Sequence, residues 1–220
     1  MNRLLGEVVM VSVSLLILTF MVLVYLSPGG NDLTKYNVVI ETEVVTPFGI
    51  NYSIGSGVVI SDDGLIITAA HVLKNATLVR VKLHDGRVFD VDTSCIYIDK
   101  KADIGFINLP CVTSEFMEMS GPFDIKDGVK VTHIGNPGGL LEDIIIQGRM
   151  VDCDFQRMFA GKDIYLFLVD VDARPGCSGG GLYWEGNFIG IITTGDDDLT
   201  IAITVCECKK ALERYTSSQR

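Results

Sequence analysis

Three residues of this chain have the types that acyl transfer requires: His71, Asp103 and Ser178. A serine hydroxyl is a weak nucleophile until a base takes its proton, and an imidazole serves best when a carboxylate fixes its tautomer. Ser178 lies in Pro175-Gly176-Cys177-Ser178-Gly179-Gly180-Gly181. Glycine at 176 lets the backbone turn sharply, so the amides of Gly176 and Ser178 can converge on a developing oxyanion. Taken alone, the heptapeptide also reads as a hairpin loop, because Gly/Ser-rich turns are common in β proteins. The residues upstream decide between the two.

The chain has three histidines. His84 falls in the polar turn His84-Asp85-Gly86-Arg87 and reads as a solvated turn residue, and His133 falls in the apolar run 129–134 and reads as a core or edge histidine. His71 follows Thr68-Ala69-Ala70 at the end of an apolar run, where a scaffold can present a reactive group. Asp103 precedes the apolar run 104–109, a place for an orienting carboxylate or for a strand-start cap, with Asp99 as the fallback acid. Gly135-Asn136-Pro137-Gly138-Gly139 is a turn and not a phosphate cradle, because it lacks the lysine and Ser/Thr of a P-loop and no helical pattern follows. No metal or organic cofactor is required by this chemistry.

The elements that must position these residues are short strands. Apolar runs recur about every ten residues between Asp62-Asp63-Gly64, Asp85-Gly86, Lys126-Asp127-Gly128 and Glu185-Gly186-Asn187, the pattern of an all-β sandwich or barrel. Residues 55–73 read as a hairpin turned at Asp63-Gly64, with His71 just beyond its second strand. Patterning breaks between 114 and 128 around Ser120-Gly121-Pro122, which marks a boundary between units of about 33–115 and 126–206, with a short closing helix over 209–215.

In these residues the chain resembles the trypsin-like serine proteases, and among them the HtrA/Deg type. The matching stretches are Gly55-Ser56-Gly57-Val58-Val59-Ile60, Thr68-Ala69-Ala70-His71-Val72, Asp103-Ile104-Gly105, Gly135-Asn136-Pro137 and Gly176-Cys177-Ser178-Gly179-Gly180, supported by Gly190-Ile191-Ile192. The resemblance spans about residues 38–206. It implies two six-stranded antiparallel β-barrels with His71 and Asp103 in the first, Ser178 in the second, and the site in the cleft between them. It implies a serine endopeptidase of polypeptides, with a role in protein quality control, Ser178 as nucleophile, His71 as general base and Asp103 as its orienting acid. The rival from another class is a pseudoprotease that kept the barrels to hold peptides.

Cys177 is a rival nucleophile only in a Gly-x-Cys-Gly-Gly frame, found in some viral proteases of this fold; Pro175 and Ser178 flank it here, so the frame fits Ser178. Cys177 and Arg174 depart from the asparagines usual in the family. Thr193, Thr194 and Gly195 match the strand that pairs with bound peptide, and Thr193 is also a candidate support for Asp103. Asp172 stands six residues before Ser178, where trypsin-like enzymes carry the base of the specificity pocket and an aspartate selects Arg or Lys. HtrA-type enzymes usually have a small or apolar residue there and cleave after aliphatic side chains, so the two analogies disagree. Most HtrA-type proteases continue into a PDZ domain, for which this sequence shows no counterpart; oligomers are common in the family, and the residues that would build one are not readable.

Residues 8–26 form an uncharged apolar run that covers roughly 28 Å as a helix, enough to span a bilayer. A cleaved signal peptide is the alternative, but the run is long for one and Pro28 disfavours cleavage after Ser27. An anchor with a cytosolic amino terminus puts the remaining chain on the non-cytosolic side. The six cysteines are compatible with an oxidising compartment: Cys95 and Cys111 flank the Asp103 strand and could bridge or remain free thiols, and Cys206 and Cys208 read as same-face residues of one strand. Net charge is −10, from 28 acidic against 18 basic side chains, which disfavours nucleic acid and anionic membrane surfaces and leaves basic or unfolded polypeptides as partners. Asp196-Asp197-Asp198 adds acidity beside the expected specificity pocket, as a solvated loop or as a lure for basic side chains.

Overall fold

Alternating burial follows the alternating sequence. In Leu78–Leu83, Val79, Val81 and Leu83 are buried while Arg80 is exposed, as the two-residue period of a strand with one covered face dictates. The computed structural model describes residues 32–99, 101–139, 142–159, 162–195 and 199–220; the expected anchor 8–26 and the acidic run 196–198 lie outside them. Among the described residues no helix is long and apolar enough to cross a membrane.

Among the described residues thirteen strands follow in chain order: β1 Asn37–Thr46, β2 Gly49–Val59, β3 Leu65–Ala69, β4 Leu78–Leu83, β5 Val88–Val91, β6 Ile96–Asp99, β7 Ile104–Asn108, β8 Lys130–Gly135, β9 Ile144–Phe159, β10 Lys162–Asp170, β11 Gly181–Trp184, β12 Asn187–Gly195 and β13 Thr200–Thr204. Helix α1, Ala70–Leu73, follows β3, and α2, Val205–Ser218, follows β13. The second set closes into a six-stranded barrel in the order β10-β13-β12-β11-β8-β9, as the all-β expectation requires.

The first set departs from the expected closed six-stranded barrel. It is a seven-stranded sheet, β5-β4-β1-β2-β3-β7-β6, with β5 and β6 at its edges. These two are short, and the Thr93–Cys95 turn between them, capped by Asp92 accepting from the Ser94 amide, redirects the chain before a ladder between the edges can form.

Three apolar clusters hold the fold. One lies within the first sheet, around Val38, Ile40, Ile66, Val81 and Ile107; another fills the closed barrel, around Val131, Met150, Phe167, Leu182 and Ile189. The third draws Val58, Ile67 and Phe106 from the first sheet and Ile134, Ile191 and Ile203 from the barrel into one seam. Burial of this kind stabilises by roughly 25 cal/mol per Å² of apolar surface, so the seam ties the two sheets together along their shared face.

The carboxy-terminal helix begins at Val205, earlier than the expected 209, and runs to Ser218. Thr204 caps it, its side chain accepting from the Glu207 amide at 3.4 Å. Cys206 and Cys208 are therefore in the first helical turn and not on a strand, and all six cysteines, including Cys95 and Cys111, are free thiols.

Candidate active site

His71 is carried by α1 directly after β3, and Asp103 directly precedes β7. The two strands are antiparallel neighbours, Ala69 opposite Ile104, so the ladder continues to Ala70 opposite Asp103 and sets His71 one residue beyond. Main-chain bonds tighten the join: the Ala70 amide donates to Asp103 O at 3.0 Å, and the His71 amide donates to Asp103 Oδ1 at 2.9 Å. His71 Nδ1 then lies 2.6 Å from Asp103 Oδ2. A carboxylate accepts, so the Nδ1 proton faces Asp103 and Nε2 is left with its lone pair outward.

Asp103 Oδ2 also accepts a short hydrogen bond from Thr193 Oγ1 on β12. Burial pushes the Asp103 carboxyl up, but the bonds from His71 and Thr193 outweigh it and hold it below the usual carboxylate range. It therefore stays charged wherever an imidazole can titrate. Asp99, the fallback acid, goes elsewhere: its buried carboxylate accepts from Arg214 Nε at 2.7 Å and from the Lys101 amide at 2.8 Å.

Ser178 stands in the same cleft as His71 and Asp103. Its hydroxyl donates to the Thr193 carbonyl at 3.2 Å, and no hydrogen bond joins it to His71 among the described residues. Thr193 thus touches both Asp103 through its side chain and Ser178 through its main chain. The side-chain contact was readable as an expectation, whereas the carbonyl contact had no sequence signal.

The loop before Ser178 is a turn closed by the Cys177 amide on Arg174 O at 2.9 Å, with Gly176 at φ +100°. A Cβ at 176 would run into the Asn136 carbonyl, so glycine is required by space as well as by φ. The amides of Cys177, Gly179 and Gly180 are all committed to carbonyls of the protein. Those of Gly176 and Ser178 bond no acceptor among the described residues, which leaves them as donors for an incoming oxygen. Cys177 is buried, and burial pushes its thiol up, the reverse of what an attacking thiolate needs.

The cleft encloses about 600 Å³. Its walls are mainly apolar, with Ile164, Leu166, Ala173, Ile192, Ile201 and Ile203, while Thr194 and Gly195 continue its edge. Asp172 does not line it. Its carboxylate is exposed and ion-paired with Arg174 at 2.8 Å, so the expected pocket-base position is corrected to the surface.

His133 is fully buried, its Nδ1 donating to Gly181 O at 3.0 Å, and burial lowers it to about 4. His84 is a surface residue, paired with Asp143 at 2.7 Å. Neither lines the cleft.

The model of the trypsin-like peptidase domain family matches residues 55–191, a stretch that holds His71, Asp103 and Ser178 in order. The chain belongs to this family. Within it, the chain is similar to proteases of the HtrA/DegP type. It is 32% identical over 142 residues to a probable periplasmic serine endoprotease DegP-like of Halomonas elongata, and 35% identical over 148 residues to serine protease HTRA1A of Danio rerio. Each alignment covers 63% of this chain and 29% of the relative, so the chain spans less than a third of the length of these relatives.

Among solved structures, the HtrA-type protease AlgW with a tripeptide superposes with a TM-score of 0.72 at 24% identity, covering 84% of this chain and 60% of AlgW. The active form of the Rv3671c protease from M. tuberculosis gives 0.71 at 21% identity, covering 82% and 81%. At these identities the likeness establishes the fold, here one closed barrel and one half-barrel. No metal-binding cluster of His, Cys, Asp or Glu occurs among the described residues.

Proposed function

We propose that this chain is a serine endopeptidase that cleaves polypeptides through an acyl-enzyme, with Ser178, His71 and Asp103 as its triad. The observation that carries the proposal is the His71 Nδ1 to Asp103 Oδ2 pairing at 2.6 Å beside Ser178 in one cleft. The Ser178 hydroxyl leaves its 3.2 Å bond to Thr193 O by rotation about Cα–Cβ and turns to His71 Nε2. Oγ then bonds the scissile carbonyl carbon while Nε2 takes the proton, and Asp103 stabilises the imidazolium. The carbonyl oxygen, now negative, accepts from the Gly176 and Ser178 amides, each contributing about 3 kcal/mol in a dry site. His71 returns the proton to the departing amine, and water repeats the sequence on the ester.

The substrate main chain runs along β12 beyond Ile192, where β11 no longer pairs, and Thr193, Thr194 and Gly195 offer it main-chain partners. The side chain before the scissile bond enters the apolar cleft, which favours aliphatic residues over Arg or Lys. Residues 8–26 anchor the chain in a membrane, and the periplasmic naming of relatives agrees with a protease domain on the non-cytosolic side.

The rival, a peptide-binding module without activity, has the resting Ser178 to Thr193 bond on its side. A fluorophosphonate probe separates the two. The proposal expects Ser178-dependent labelling that Ser178→Ala abolishes; a wild-type chain that takes no label sinks it. Alkaline carbonate extraction tests the anchor: the chain is expected to stay with the membrane, and its release would overturn that part alone.

A further inference from the structure

Ser56 grips the nucleophile loop twice. Its amide donates to Ser178 O at 2.8 Å, and its hydroxyl donates to Gly176 O at 2.7 Å. The same Oγ accepts from the Asn136 amide at 2.9 Å and from Asn136 Nδ2 at 3.0 Å. A serine hydroxyl has two acceptor sites and one proton. Asn136 fills both acceptor sites, so the proton has one direction left, toward Gly176 O.

Asn136 is itself fully determined. Its second Nδ2 proton goes to Val38 O at 2.9 Å, and its Oδ1 accepts from Asn37 Nδ2 at 3.1 Å and from the Asp143 amide at 2.9 Å. Ser56 and Asn136 have no exposed surface, so no solvent competes for these bonds. One turn further on, the Gly138 amide donates to Pro175 O at 2.7 Å. Across a trans peptide the C=O and N–H point opposite ways, so drawing the Pro175 carbonyl toward Gly138 sends the Gly176 N–H the other way, toward the cleft. Both carbonyls that flank the φ of Gly176 are thus tied.

Resting on the protease reading above, we propose that Ser56, set by Asn136, is a positioning residue that ties the Gly176 carbonyl and so holds Gly176 in the backbone conformation whose N–H binds the oxyanion. Neither residue touches the cleft; each acts through the loop. Flipping the peptide after Gly176 would strand the Ser56 proton and the Gly176 carbonyl in a dry interior, and flipping the one before it would strand the Gly138 amide and the Pro175 carbonyl, which keeps the hole assembled at rest.

The test uses the full 220-residue chain. Ser56→Ala is expected to lower kcat on a peptide substrate about 10²-fold with KM within about twofold, since the missing hydroxyl stabilises only the transition state. A peptide aldehyde, which forms the tetrahedral oxyanion, is expected to lose affinity by a similar factor while a non-cleavable peptide binds as before. Ser56→Thr restores the hydroxyl and is expected to recover most of kcat. A folded Ser56→Ala variant with wild-type kcat, or with equal losses for aldehyde and non-cleavable peptide, overturns the assignment. Should Ser56→Ala fail to fold, Ser56→Cys keeps the shape with a poor donor, and unchanged kcat there overturns it equally. A wild-type chain that hydrolyses nothing removes the protease reading itself, whereas an active wild type with indifferent Ser56 variants removes only this role.

Discussion

His71, Asp103 and Thr193 form a chain of contacts in which the carboxylate is the common acceptor. Asp103→Asn keeps the shape but can present an N–H to His71 Nδ1, which turns the imidazole to the wrong tautomer; kcat is expected to fall about 10⁴-fold, and near-wild-type turnover would remove Asp103 from the triad. Thr193→Val deletes one donor to Asp103 and leaves the Thr193 carbonyl in place. The expected cost is smaller, about tenfold in kcat, because His71 still holds the carboxylate. Specificity is a residue-scale matter too. With Asp172 paired to Arg174 at the surface, Asp172→Ala is expected to leave cleavage after Val, Ala or Leu unchanged across a peptide library. A wild-type preference for Arg or Lys that Asp172→Ala abolishes would return Asp172 to the pocket.

At the scale of elements, α2 docks through an aromatic cluster, an ion pair to a buried carboxylate and a bond from Lys209 Nζ to Gly121 O at 2.9 Å. Tyr215 packs on Phe106 and Tyr97, with ring centroids 5.3 and 5.4 Å away, and Arg214 reaches the buried Asp99. Removing Arg214 leaves a carboxylate buried without its cation. Arg214→Ala is expected to cost about 3 kcal/mol in urea unfolding, and an unchanged midpoint would show that the helix is held by its apolar face alone. The start of this helix was legible: Thr204-Val205-Cys206-Glu207 fits the capping-box spacing, and Thr204 does cap the Glu207 amide. It was missed because β-branched Ile203, Thr204 and Val205 prolong the strand pattern of β13. The two-residue turn Glu185-Gly186 was equally legible, and both residues take positive φ between paired Trp184 and Asn187.

For the whole molecule, acid stability should carry the mark of His133. Its imidazole titrates near 4 when folded and near 6.5 when unfolded, so the unfolded chain binds the extra proton between those values. Stability is then full above about pH 6.5 and falls as pH drops toward about 4, by up to about 3 kcal/mol from this group. Urea unfolding at several pH values checks it: His133→Gln is expected to lose that part of the slope, and an identical slope in both chains would refute it. Asp103 adds in the same direction at lower pH, since its depressed carboxyl favours the folded state only while ionised. At this scale the sequence was least informative. Turns were readable, but the seven strands of the first sheet, and closure of one sheet and not the other, depend on edge lengths and on ladders between residues far apart in the chain.

The sequence by itself put forward the candidate reacting types, the turns, and the frame that favours Ser178 over Cys177, because each of these is a local matter of a few consecutive residues. Only the tertiary structure decided which carboxylate meets His71. Asp99 and Asp103 are four residues apart and alike in composition, yet the register of β3 on β7 carries one to the imidazole while β6 turns the other to Arg214. It also decided that Asp172 faces solvent, that the cleft is walled by aliphatic residues, and that Ser56 reaches a loop 120 residues away. Such meetings rest on sheet register and on the seam between two sheets, and neither is written in any short stretch of chain.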